Sequence, residues 1–225
     1  MSDNPFEHLG RIVVETGPAP RHAVIWLHGL GADGHDFEPI VPELAGALPV
    51  PVRFVFPHAP VMSVTINGGT AMRAWYDFLA LEPGRGENRR HLQQAREAVL
   101  GLVAEQEAAG IARERIVLAG FSQGGVIALL AALAADPPVA GVMGLSTYLP
   151  LPEGEPLPCR GMPVFLAHGD LDEVLPFFLG MRARDRLRAA GCRVEWHEYP
   201  MGHAVCSEEI GHIGRWLAAV LRGDG

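Results

Sequence analysis

Apolar positions along the chain fall into two alternating kinds of block. One kind is short and apolar at nearly every position: Ala23-Val24-Ile25-Trp26-Leu27, Val52-Arg53-Phe54-Val55-Phe56, Arg115-Ile116-Val117-Leu118-Ala119, Val139 to Leu145 and Val164-Phe165-Leu166-Ala167. Runs this short with apolar residues on both faces are expected of buried strands in a parallel sheet. Ile12-Val13-Val14, closed by Gly17-Pro18-Ala19-Pro20, reads as an edge strand, and Arg193 to Tyr199 alternates as a half-exposed strand should. The other kind has helical spacing. Leu92, Ala95, Val99, Leu102 and Val103 recur up to Gly110, a helix stop, and Val126 to Ala135 has helix-forming composition. Further helices are predicted around 176–190, before Gly191, and over Ile210, Ile213, Trp216, Leu217 and Val220, with a weak one carrying Phe37, Ile40, Val41 and Leu44. From Pro57 to Asn88 no regular element is predicted. Its Trp75, Tyr76 and Phe78 mark it as an ordered binding loop.

Strands alternating with helices predict an α/β fold, a mostly parallel central sheet covered by helices on both faces. The 225 residues suit one domain spanning 1–225, with no repeat, low-complexity tract or linker. Between the strands at 139–145 and 164–167 lies only a connection with five prolines from Pro150 to Pro163, so no inserted cap domain is expected. Each glycine-rich or polar motif follows a strand. In such sheets the ligand crevice lies outside the carboxyl ends of the strands, which gathers 28–36, 120–124, 168–172 and 200–203 around one site.

The chemistry centres on Gly120-Phe121-Ser122-Gln123-Gly124-Gly125, set between a strand and a helix. G-x-S-x-G in that context is a nucleophile elbow: the serine sits on a sharp turn, and the glycines remove side chains that would block it. A serine hydroxyl needs a base, usually a histidine oriented by a carboxylate, in the chain order Ser, acid, His. His197 falls within a strand, His212 within a helix, and His168 where an acid partner is expected. His203, after Gly202 in the last loop, is left as the base. Asp170, Asp172 and Glu173 compete for the acid, and spacing does not separate them. The N–H groups of Gln123, next to the nucleophile, and of Leu30, in the early His28-Gly29-Leu30-Gly31 turn, are the candidate oxyanion donors.

Two rival readings fail on chemistry. Gly29-Leu30-Gly31-Ala32-Asp33-Gly34 matches a dinucleotide-binding pattern, yet Asp33 and Asp36 would face the pyrophosphate and Pro39 interrupts the helix. No acid ends the second strand to hold a ribose. A metal site on His168, Asp170, Asp172 and His203 would leave the Ser122 elbow without purpose. No cofactor and no metal is therefore expected.

The net charge of −8, with 18 arginines and no lysine, speaks against nucleic acid as a partner. Three widely spaced cysteines, Cys159, Cys192 and Cys206, lead to an expectation of free thiols in a reducing compartment. The N-terminal residues lack a basic region followed by an apolar run, and the longest apolar stretch, Val126 to Ala135, is too short for a bilayer. A cytoplasmic protein without an integral membrane segment is expected. Its partners would be a small-molecule ester substrate and, at most, a second copy in a weak homodimer.

Several of these segments together resemble the phospholipase/carboxylesterase family of α/β-hydrolases, which includes bacterial carboxylesterases and acyl-protein thioesterases. They are Leu27 to Gly34, Phe56 to Pro60, Met72-Arg73-Ala74-Trp75-Tyr76-Asp77, Gly120 to Gly125, Leu145 to Pro150, His168 to Asp172 and Gly202-His203. The resemblance implies Asp172 as the triad acid with Ser122 and His203, and supports Leu30 and Gln123 as oxyanion donors. His35, Thr147 and Glu173 depart from residues common in the family. The expected activity is a serine carboxylesterase acting on short- to medium-chain esters through an acyl-enzyme on Ser122. The same triad could serve an acyl-protein thioesterase or lysophospholipase; a non-catalytic binding protein of the same fold is the rival from another class. Met62, Ile66, Trp75, Leu171, Val174 and Leu175 are candidates for the acyl pocket.

Overall fold

The computed structural model describes residues 4–79 and 86–223; within the Pro57–Asn88 stretch, positions 80–85 lie outside the described residues, as do 1–3 and 224–225 at the ends of the expected 1–225 domain. Its framework is a seven-stranded sheet. The strands are β1 (Arg11–Glu15), β2 (His22–Leu27), β3 (Val52–Pro57), β6 (Ile116–Phe121), β7 (Gly141–Leu145), β8 (Pro163–Gly169) and β9 (Arg193–Tyr199), in the order β1-β3-β2-β6-β7-β8-β9. Only β1 runs antiparallel to its neighbour; the other pairings are parallel.

The two-sided hydrophobicity of the central strands has a direct structural reading. Along β2, Ala23, Ile25 and Leu27 enter one apolar core while Val24 and Trp26 enter another, as the period-two geometry of a strand requires. The first core is covered by α2 (Arg89–Ala108), α3 (Gln123–Ala134) and α4 (Phe177–Ala189) through Leu102, Val103, Val126, Leu129, Leu179 and Leu187. The second is covered by α1 (Val41–Ala45) and α5 (Ser207–Arg222) through Val41, Leu44, Ile213, Trp216 and Leu217. Helices therefore lie on both faces. The segment between β7 and β8 contains no helix or strand, so nothing is inserted over the strand ends.

Three expectations are corrected. The weak helix over 37–44 is a 3-10 turn at Glu38–Ile40 followed by the five-residue α1; prolines at the first turn of each, Pro39 and Pro42, set the two starts. The stretch from Pro57 to Asn88 is not without regular structure. It holds the hairpin β4 (Val61–Val64) and β5 (Thr70–Arg73), turned through Gly68 and Gly69, whose φ values of 65° and 78° lie in the left-handed region. Strands of four residues carry too little alternation to be read, and the Gly-Gly pair was the available signal. Lastly, Cys159 and Cys192 form a disulfide, and only Cys206 is a free thiol. The bridge joins the proline-rich connection before β8 to the turn between α4 and β9, two segments distant in sequence that the β8–β9 pairing brings together. It removes the thiol argument for a reducing compartment. Among the described residues no helix is long and apolar enough to cross a membrane.

Candidate active site

Ser122 occupies the corner between β6 and α3 with φ 53° and ψ −119°, a conformation disfavoured for a non-glycine residue. The surroundings hold it there. Its N–H donates to the Leu145 carbonyl at 2.8 Å, and its own carbonyl accepts from Thr147 Oγ1 at 2.8 Å and from the Val126 N–H at 3.2 Å. Thr147, one of the departures from the family pattern, thus supplies a bond to the strained residue. The two motif glycines are explained by backbone approach: a Cβ on Gly124 would lie 2.5 Å from the carbonyl oxygens of Leu27 and His28, and one on Gly120 would collide with the Gly124 carbonyl. Although Ser122 stands at the N-cap of α3, its hydroxyl makes no capping bond. The Oγ is therefore left for the cleft.

Burial and hydrogen bonding separate the three candidate acids. Asp170 and Glu173 are exposed, whereas the Asp172 side chain is fully buried. Asp172 Oδ1 accepts the N–H groups of Val174 and Leu175 at 2.9 and 2.8 Å, and Oδ2 lies 2.7 Å from His203 Nδ1. Two amide donors on one oxygen fix the carboxylate and leave the other facing the imidazole. His203 in turn lies beside the Phe121 ring, with centroids 4.7 Å apart. His168 also approaches Asp172 Oδ2, at 3.3 Å, but its Nε2 is bonded to the Leu175 carbonyl at 2.9 Å, and burial holds its pKa below the ordinary value. A neutral His168 is a packing partner of the acid.

Ser122 and His203 line one cavity of about 400 Å³, together with Leu30 and Gln123. Among the described residues no protein acceptor takes the N–H of either Leu30 or Gln123. The loop that carries Leu30 is braced by Gly31 N–H donating to the Arg73 carbonyl at 2.8 Å and by His28. The buried His28 ring bonds the Gly29 carbonyl through Nδ1 at 2.7 Å and accepts the Ala59 N–H on Nε2 at 3.0 Å, which requires the neutral Nδ1–H tautomer. Burial is the main cause that lowers its pKa from 6.5 to about 4, against the raising effect of the Gly29 bond. A histidine depressed in the folded state contributes stability above the unfolded pKa and loses it as pH falls through the folded one. Stability should therefore decline from pH 6.5 to about 4, by up to about 3 kcal/mol from this residue. An NMR titration should keep the His28 ring neutral at pH 5, with protonation accompanying loss of structure; a midpoint near the ordinary histidine value would refute this.

The candidate acyl-pocket residues divide. Ile66, Val174 and Leu175 line the cavity. Met62, Trp75 and Leu171 do not. Trp75 is completely buried and donates Nε1–H to the His28 carbonyl at 2.9 Å, so it supports the loop that carries Leu30 from beneath. Met62 packs on the first core, and Leu171 is 64% exposed. The remaining apolar wall comes from Tyr76 and Phe78, which the sequence placed in a binding loop, and from Tyr148, Phe178 and Leu179, which sequence reasoning did not assign to the pocket. Tyr76 and Tyr148 are linked hydroxyl to hydroxyl at 3.2 Å, and Tyr148 donates to Glu87 at 2.5 Å.

The side chain of Gln123 was also missed. Its Oε1 accepts the Trp75 N–H and its Nε2 donates to the Tyr76 carbonyl, both at 2.7 Å, clamping the 74–77 loop to the elbow. A glutamine beside a nucleophile, with a distant loop needing both a donor and an acceptor, was the available signal. Of the other departures, His35 pairs with Glu38 at 2.8 Å and Glu173 is exposed; neither lines the cavity.

The sequence profile of the phospholipase/carboxylesterase family matches residues 9–221. Acyl-protein thioesterase 1 of Neurospora crassa is 36% identical over 215 residues, covering 88% of this chain and 86% of that protein. The protein of the same name from Mycosarcoma maydis is 37% identical over 225 residues, covering 92% and 94%. Among solved structures, acyl-protein thioesterase 2 of Zea mays superposes with a TM-score of 0.78 at 27% identity, covering 95% of this chain and 100% of that one. With the α/β-hydrolase sheet, the strained serine corner and a profile match over nearly its whole length, this chain belongs to the phospholipase/carboxylesterase family.

Proposed function

We propose that the protein is a serine hydrolase of carboxylic thioesters and esters, of the acyl-protein thioesterase kind. Ser122 is the nucleophile, His203 the base and Asp172 the acid that orients it. The bond between Asp172 Oδ2 and His203 Nδ1 at 2.7 Å carries the assignment, because it leaves Nε2 of the ring to receive the serine proton. As Ser122 Oγ attacks the acyl carbonyl, the proton passes to His203 Nε2 and the oxyanion is received by the N–H groups of Leu30 and Gln123. His203 then gives the proton to the leaving sulfur or oxygen, and a water deacylates Ser122 with the same ring as base. The apolar wall of Ile66, Phe78, Val174, Leu175 and Leu179 receives the acyl chain.

The thioester reading is favoured over a plain carboxylesterase by the two fungal relatives, both named acyl-protein thioesterase 1. It corrects the order of preference drawn from sequence, in which the oxygen ester came first. Matched oxygen esters and thioesters of increasing chain length are the test, with a fluorophosphonate probe to count active serines. Thioesters should be preferred at equal chain length, and the probe should label Ser122. Absence of labelling on folded protein would favour a non-catalytic binding protein, and preference for oxygen esters would restore the carboxylesterase reading.

A further inference from the structure

The wall of the cavity around Ser122 carries one carboxylate to which the acyl-transfer scheme assigns no task. Asp36, in the loop after β2, lines the cavity beside Leu30 and Ala32. Among the described residues its side chain has no ion-pair or hydrogen-bond partner. Among the described residues no arginine lines the cavity, and His203 is the only basic side chain in its wall. Partial burial, and after it the charge of Asp33, raise the Asp36 pKa. Asp36 is exposed at the cavity mouth, so its hydrated charge is free to act on a ligand entering the cleft.

The position of Asp36 determines which part of a substrate it meets. Phe37, the next residue, has its ring 5.7 Å from Phe121, and Phe121 lies 4.7 Å from the His203 imidazole. Asp36 thus adjoins, through Phe37, the side of the cavity that runs by Phe121 to His203. The remaining wall, with Ile66, Phe78, Val174 and Leu179, is apolar. In the reaction above His203 delivers its proton to the departing sulfur or oxygen, so the leaving group lies on the His203 side.

We infer that Asp36 selects substrates whose leaving group bears a positive charge close to the scissile bond. The inference rests on the hydrolase reading of the same site. A single carboxylate at a partly solvated mouth acts through a few ångströms of screened medium, which corresponds to a preference of about three- to tenfold in kcat/KM. Asp33 and the net charge of −8 have the same sign and reinforce the attraction at low salt.

The test compares butyrylcholine with its neutral isostere, 3,3-dimethylbutyl butyrate, and the corresponding pair of thioesters. The acyl group is shared and the leaving groups differ essentially in charge. Each kcat/KM is divided by the rate of hydroxide-catalysed hydrolysis, which removes the difference in intrinsic reactivity. The wild-type ratio should favour the cationic substrate by about three- to tenfold and fall with added salt. It should drop to about one in Asp36→Asn, persist in Asp36→Glu and invert in Asp36→Arg. Because the ratio is taken within each variant, a general loss of activity or of folded protein cancels. A wild-type ratio of one, or a preference kept by Asp36→Asn, overturns the role of Asp36 while leaving the hydrolase reading standing. Failure of the wild type to turn over any of the four substrates overturns the hydrolase reading and this inference with it.

Discussion

Replacing Ser122 by alanine is expected to lower kcat/KM on the best thioester or ester by roughly 10⁴- to 10⁶-fold, with the fold intact. The residue is held by backbone bonds, from its N–H to Leu145 and to its carbonyl from Thr147 and Val126, and its hydroxyl takes no part in capping α3. Removing one oxygen therefore costs no structural hydrogen bond. The positive φ persists with alanine and carries the same backbone strain. What disappears is the only route by which the acyl group can be held covalently, so water must attack the substrate directly. The remaining N–H groups of Leu30 and Gln123 leave a residual rate above that in free solution. Circular dichroism and thermal unfolding should superimpose on the wild type. Turnover within tenfold of wild type would exclude Ser122 as nucleophile.

The second large effect is expected from Asp172→Asn, about 10⁴-fold in kcat with much less change in KM. The substitution is nearly isosteric, and its geometry explains the loss. The amide oxygen can still accept the Val174 and Leu175 N–H groups that Asp172 Oδ1 accepts now. The amide nitrogen is then turned toward His203 Nδ1, where a carboxylate oxygen stood at 2.7 Å. Two donors cannot share that contact, so the imidazole adopts the Nε2–H tautomer. Its Nε2 lone pair, which should take the Ser122 proton, is no longer there. Asp170→Asn and Glu173→Gln serve as comparisons. Both residues are exposed and neither touches His203, so each should stay within a few-fold of wild type. Equal losses at all three positions would mean that the loop as a whole, and not Asp172, supports the base.

The large effects and the fine preference come from different scales of structure. Ser122, Asp172, His203 and the N–H groups of Leu30 and Gln123, the groups of the proposed mechanism, are placed by four loops at the carboxyl ends of parallel strands, so their relation is fixed by a rigid sheet. In the proposed reading, the preferences for acyl chain and leaving group are set by cavity-lining residues of the 57–79 and 174–179 segments and by Asp36. The first two are loops and short elements with partly exposed apolar residues, including Ile66, Val174 and Phe178. A scaffold of this kind allows the substrate to change while the reaction stays the same.

What the sequence by itself determined is whatever depends on neighbours along the chain. The strand–turn–helix around Ser122 was legible because a sharp corner needs small residues immediately before and after it, and Gly120 and Gly124 are there. The parallel sheet was legible because two-sided apolar runs such as Ala23 to Leu27 are short as strands are and alternate with segments of helical spacing. His203 followed from its loop position after the last strand. Tertiary structure decided everything that depends on which distant groups exclude water from one another. Asp170, Asp172 and Glu173 are chemically equivalent in sequence, and only the burial of Asp172 against His203 separates them. Trp75 looked like a pocket residue because it is large and apolar near the active end, yet it lies under the oxyanion loop while Tyr148 and Leu179 form the wall. Cys159 and Cys192 are 33 residues apart and became partners only when β8 and β9 paired beside them. Local backbone sterics are written in adjacent residues, whereas burial and long-range contact belong to the packed chain as a whole.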